Sequence, residues 1–179
     1  MSEPIPACIS IGGKVAADLV PELCKAISAE RVALEWGDAH FEPQSAEHLL
    51  DACEEIDGVN VLWLCDEQAN WGRFSDLEEF LVKHGIPFDL QADGKAESNA
   101  ELIAFRPGSQ PVRVITSVDG DPVVSAWSLA PVKAALEAAM DAGMQNDLSR
   151  CLAQVEVALG ALRAALPPVV QPLSPFAIG

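Results

Sequence analysis

The side chains best suited to chemistry fall in two short stretches of this 179-residue chain. One holds Trp36, Asp38, His40 and Glu42, and the other holds Cys65, Asp66, Glu67, Asn70, Trp71 and Arg73. In an extended segment alternate residues share a face, so Asp38, His40 and Glu42 would point together. One imidazole among carboxylates can hold a divalent cation or move protons. Asp38, His40, Glu42 and Asp66 are therefore the candidate ligands of a metal-assisted enzyme. The preferred reading is not enzymatic. In it, Trp36, Asp38, Glu42, Asp66, Glu67 and Trp71 form a partner-binding surface, the carboxylates meeting basic groups and the indoles serving as anchors. Surface charge, helix capping and indoles packed under the turns at Gly37 and Gly72 account for the same residues without either role.

Other motifs fail on their own chemistry. Gly12-Gly13-Lys14 is followed by Val15 and lacks the upstream glycine of a phosphate loop. Neither a dinucleotide fingerprint nor a serine nucleophile elbow is present. Asp119-Gly120-Asp121 lacks the remaining ligands of a calcium loop and fits a tight turn. No cofactor is implied. Cys8, Cys24, Cys53, Cys65 and Cys151 are widely spread and contain no C-x-x-C pair, which reads as reduced, packed thiols in a cytoplasmic protein. Cys65 stands apart because it sits within the second chemical stretch.

The charge is concentrated. Residues 30–101 carry 18 acids against Arg31, Arg73, Lys83 and Lys95, a net of −14 out of −16 for the whole chain. Such a field repels a phosphate backbone and attracts basic proteins, so direct nucleic-acid binding is not expected and a basic protein partner is. Half of the residues are hydrophobic, enough for a core, and no apolar run approaches the ~20 residues of a membrane span. The sequence opens Met1-Ser2-Glu3-Pro4, without the basic and apolar regions of a signal peptide.

The elements that must position these side chains follow from periodicity. Ala7–Ile11, 31–36, Val59–Cys65, 86–90 and 101–105 read as strands. Residues 112–118 and 123–127 read as a hairpin. Helices are expected near 16–28, from a Ser45 cap to Ile56, and over 75–84 behind a Ser75/Glu78 capping box. Two more are expected near 131–142 and 147–166. If the first three strands are parallel, the loops after them share one sheet edge, bringing Gly12 to Lys14 beside Asp38 and Asp66. In the last helix Leu148, Leu152, Val155, Leu159, Leu162 and Leu166 form an apolar seam. That seam is expected to pack on the preceding helix or the sheet, with homodimerisation through 148–166 as the alternative.

The expected fold is an α/β or α+β domain with a mixed sheet, flanking helices and a C-terminal helical pair. Residues 1–110 form its acidic α/β region, and 111–166 a hairpin plus helical pair in the same domain. Residues 167–179 form a proline-rich extended tail that wraps its own domain or meets a partner. The run Ile9-Ser10-Ile11-Gly12-Gly13, the Trp36-Gly37-Asp38 turn, Trp71-Gly72, Arg106-Pro107-Gly108 and the Leu166 to Phe176 tail together resemble small acidic proteins of bacterial genomes, phage-related regions and plasmids. That resemblance covers most of the chain. It implies a bacterial or mobile-element origin and no particular reaction.

Overall fold

The computed structural model describes residues 4–95, 99–117 and 119–179. The chain divides into two compact units, Met1–Asp121 with Val170–Gly179, and Pro122–Val169.

The first unit is built on a six-stranded sheet in the order β3-β4-β1-β5-β6-β7, formed by β1 (Ala7–Ile11), β3 (Cys53–Ile56), β4 (Val59–Asp66), β5 (Phe88–Ala92), β6 (Ala100–Phe105) and β7 (Val112–Thr116). Every neighbouring pair in it is antiparallel. The parallel start inferred from strand–helix alternation is thus corrected. Among the described residues, parallel pairing is confined to a separate two-stranded ladder of β2 (Lys14–Val15) and β8 (Ala177–Ile178). The fold is α+β, with helices beside the sheet and a C-terminal helical pair.

Alternation places Ile9, Ile11, Leu62, Leu64, Phe88, Leu90, Ile103 and Phe105 in one buried cluster. Leu23 and Ile27 of α1 (Val20–Glu30), Leu49 of α2 (Ala46–Asp51), and Leu77 and Leu81 of α3 (Ser75–His84) complete it. A short 3₁₀ turn, Ala17–Leu19, leads into α1 and leaves Pro21 in the first helical turn, where its missing N–H costs nothing.

Three expected elements change type. Residues 31–36 do not form a strand. Arg31 is left-handed (φ 59°) at the end of α1, and Asp38 N–H bonds back to Glu35 O at 3.2 Å, so only Ala33 is left to bridge β4 at Cys65. The helix begun at Ser45 stops at Asp51, although Ser45 Oγ does accept the His48 amide at 3.2 Å. Asp57 (φ 52°) and Gly58 (φ 79°) are both left-handed, the geometry of a two-residue hairpin turn, and they pair Cys53–Ile56 with β4 instead. Residues 123–127 do not return as a hairpin strand, because Ser125 Oγ accepts the Trp127 amide and starts α4 (Ala126–Met144).

The tail returns to the first unit. Gly13 N–H donates to Ser174 O (2.9 Å), Phe176 N–H to Asn60 O (2.8 Å) and Ala177 N–H to Gly13 O (2.9 Å). Arg106 Nε reaches Gln171 O at 2.8 Å. A Cβ on Gly12 would fall on the Ser174 carbonyl oxygen, so glycine is required where this strap passes. Of the two fates expected for the tail, it takes the intramolecular one.

The second unit is a helical hairpin of α4 and α5 (Leu148–Ala165), with Asp147 capping α5 by accepting the Arg150 amide at 3.0 Å. Its buried residues are the small Ala135, Ala139, Ala142 and Ala158. The leucine seam is split: Val155 and Leu162 are half-buried, whereas Leu148, Leu152, Leu159 and Leu166 are exposed. Among the described residues no helix is long and apolar enough to cross a membrane.

Candidate functional site

The end of α1, the turn after it and the loop leaving β4 enclose a cleft of about 460 Å³ in the first unit. Trp36, Asp38, His40, Cys65, Asp66, Glu67 and Arg73 from the two chemical stretches all line it, joined by Glu30, Arg31 and Glu35. The convergence has a different cause from the one expected. In the antiparallel pairing Ala7 faces Asp66, so this cleft lies at the start of β1 and the end of β4. Gly12 to Lys14, after β1, lie at the opposite end of the sheet against Pro87 and the strap.

Two of the expected site residues fall elsewhere. Glu42 is exposed outside the cleft. Trp71, left-handed at φ 58°, lines a separate depression with Ile5, Ala92 and Ile115. Trp36 is half-exposed at the cleft and meets Trp63 edge-on, with ring centroids 5.8 Å apart at 79°. It is held by an aromatic contact and still offers surface to a ligand.

The wall next to α3 is fixed by two carboxylates. Glu30 Oε1 accepts the amides of Asp76 (2.7 Å) and Leu77 (3.1 Å), capping α3 from the end of α1. Burial pushes the Glu30 carboxyl up, and those two hydrogen bonds oppose the shift. Glu78 Oε1 reaches back to the Phe74 amide at 3.0 Å, while the Arg73 guanidinium forks onto both Glu78 oxygens. The capping box is thus corrected: Ser75 lies inside the helix and Glu30 does the work assigned to it. Nothing in local spacing could reveal Glu30, which is 46 residues from Asp76.

Glu35, Asp38, Asp66 and Glu67 form no ion pair with Lys or Arg among the described residues. Asp66 accepts the Gln68 amide at 2.9 Å. Three other acids of the 30–101 segment, Glu78, Asp89 and Glu101, meet an arginine, while others outside the cleft, Glu54 and Glu55 among them, form no ion pair with Lys or Arg among the described residues. Asp89 takes a fork from Arg106 (2.8 and 2.9 Å), and Glu101 meets Arg113 at 3.5 Å. Arg73 lines the cleft but is committed to Glu78, which raises its pKa further.

Among the described residues no three His, Cys, Asp or Glu side chains are placed to hold one metal ion. Of Asp38, His40, Glu42 and Asp66, the first two and Asp66 line the cleft and Glu42 lies outside it. Cys65 is poorly suited to nucleophilic work. Its N–H and C=O both bond Ala33 (2.9 and 2.7 Å), so the Cys8–Cys65 pair across β1 and β4 is a non-hydrogen-bonded one, with side chains close together. Burial above all, then the neighbouring Cys8, Asp66, Glu67 and Asp38, push the Cys65 thiol up to about 12. Burial also raises Cys8, against a hydrogen bond from Trp63. Only the thiolate reacts, so Cys65 in the folded chain is expected to take up a maleimide at least roughly a hundredfold slower than in unfolded protein at neutral pH. The rate should rise about tenfold per pH unit across the mildly alkaline range. Peptide mass spectrometry after timed labelling measures it, and a pH-independent rate would contradict the assignment.

Compared with known proteins, the chain matches no family model, no curated protein and no solved structure.

Proposed function

We propose that this chain is a non-enzymatic interaction or regulatory protein whose acidic cleft receives a basic segment of a protein partner. The observation that carries this reading is the gathering on one cleft of four carboxylates that form no ion pair with Lys or Arg among the described residues. Asp89 and Glu101 are neutralised by Arg106 and Arg113, whereas Glu35, Asp38, Asp66 and Glu67 line one cleft without a cationic partner among the described residues. Unpaired carboxylates around a concavity focus a negative field and speed the encounter with a cation. Trp36, half-exposed beside them, supplies the flat apolar surface on which an arginine or lysine stem can lie. The cytoplasm suits this reading, since all five cysteines are free.

The test is a titration with a synthetic oligo-arginine peptide, followed by the emission of Trp36. Binding is expected at low ionic strength and should weaken by roughly tenfold or more as salt shortens the Debye length. Neutralising the cleft with Glu35→Gln, Asp38→Asn and Glu67→Gln should abolish it. Neutralising Glu54 and Glu55 on β3, outside the cleft, should leave most of it. Equal losses from the two sets would mean that the peptide senses net charge alone, and the proposal would fail.

A further inference from the structure

The helical hairpin carries an apolar face that its own packing does not use. In α4, Leu129, Leu136, Met140 and Met144 recur at i, i+7, i+11 and i+15, which keeps them within one stripe of a 3.6-residue helix. In α5, Leu148, Leu152, Leu159 and Leu166 at i, i+4, i+11 and i+18 form another. The buried contact between the helices runs through Ala135, Ala139 and Ala142 on one side and Ala158 on the other. The α5 stripe lies about a quarter to a third of a turn from that contact and the α4 stripe from about a quarter (Leu136) to nearly half a turn (Met144), both displaced in the same rotational sense along their own chain direction. The linker of Gln145 to Asp147 makes the helices antiparallel neighbours. In an antiparallel pair, rotations of like sense along the two chains turn both stripes to the same side, so the two stripes make one face with Met144 at its outer edge. The eight side chains are between 37% and 74% exposed.

We infer that this face is a homodimer interface, on which a second copy of the hairpin packs to close a four-helix bundle. Three properties select a second copy. The exposed area is on the order of 800 Å², about the share of one partner in a standard interface and more than most monomers leave bare. The face is made of leucine and methionine, so a basic protein of the kind suited to the acidic cleft finds no carboxylate row on it, whereas an identical face is complementary under two-fold symmetry. The hairpin unit holds three basic against four acidic side chains, a net of −1. The charge that would drive copies apart is therefore carried outside the hairpin. The inference uses nothing of the cleft.

Sedimentation of the full chain in high salt, from low to high micromolar concentration, tests it. A dimer is expected. Leu152→Glu with Leu159→Glu should weaken it by roughly a hundredfold or more while far-ultraviolet circular dichroism stays unchanged, because both side chains are already exposed. Val157→Glu, exposed on the other side of α5, should leave the dimer intact. A wild-type chain that stays monomeric throughout would overturn the inference. So would a dimer indifferent to the double substitution, or a monomer that co-sediments with phosphatidylcholine vesicles. Peptide binding at the cleft is read separately, so either proposal can fail without the other.

Discussion

Phe176→Ala is expected to cost the first unit about 3 to 5 kcal/mol, the usual penalty for emptying a core aromatic site. Phe176 is 4% exposed and packs in the main cluster, although it follows a proline-rich stretch. It is the apolar anchor of a strap otherwise held by backbone hydrogen bonds to Gly13, Val15 and Asn60. Such bonds are each worth only ~0.5 to 1.5 kcal/mol net. Loss of the ring therefore also loosens β8 from Lys14 and Val15. Urea denaturation followed by tryptophan emission measures the effect, since Trp36, Trp63 and Trp71 all lie in this unit and Trp127 is already exposed. Val169→Ala, nearly fully exposed, should change stability by less than ~0.5 kcal/mol. A Phe176→Ala loss that small would show that the strap is dispensable.

Glu78→Ala is expected to destabilise the same unit by about 2 to 3 kcal/mol. The carboxylate is 6% exposed and serves three donors at once, the Phe74 amide and two nitrogens of Arg73. Its removal leaves an unmet amide at the start of α3 and a half-buried guanidinium with no counter-charge, and an orphaned partner costs more than a pair gains. Arg73 retains some access to water, which keeps the cost below that of a fully buried ion. Replacing both residues with Arg73→Met and Glu78→Leu should recover part of the loss, because no charge is then stranded. The same urea transition compares the single and double variants. A double variant worse than the sum of the two singles would refute this account of the pair.

Much of the fold was legible where a local signal was strong. The dense apolar run of β4, the periodicity of α3 and the helical spacing over 147–166 all mark elements that form. Errors arose where one backbone feature outweighs side-chain pattern. Left-handed Arg31 ends the strand-like 31–36 before it can pair, and the Asp57-Gly58 turn converts the last turn of an expected helix into a strand. Strand direction is set by pairing partners distant in sequence, so strand–helix alternation gave a parallel start where every pair in the main sheet is antiparallel. The cleft was half legible for the same reason. The chemical stretches contain Asp38, His40, Asp66 and Glu67, and Glu35 adjoins the first of them, but Glu30 enters through tertiary packing. The leucine seam was visible as spacing, yet spacing does not say which stripe of a helix meets its neighbour. Alanines settle that here by allowing closer approach.

The pairing of Lys14 with Ala177 has a kinetic consequence. Its two sides are separated by nearly all of the intervening sequence, so closing that loop brings a large entropy loss for a ladder of two residue pairs. Contacts of that kind reward folding only after nearer ones have formed, and they belong to the far side of the rate-limiting barrier. Refolding from urea should therefore assemble the sheet first and dock the strap last, and weakening the strap should quicken unfolding far more than it slows folding.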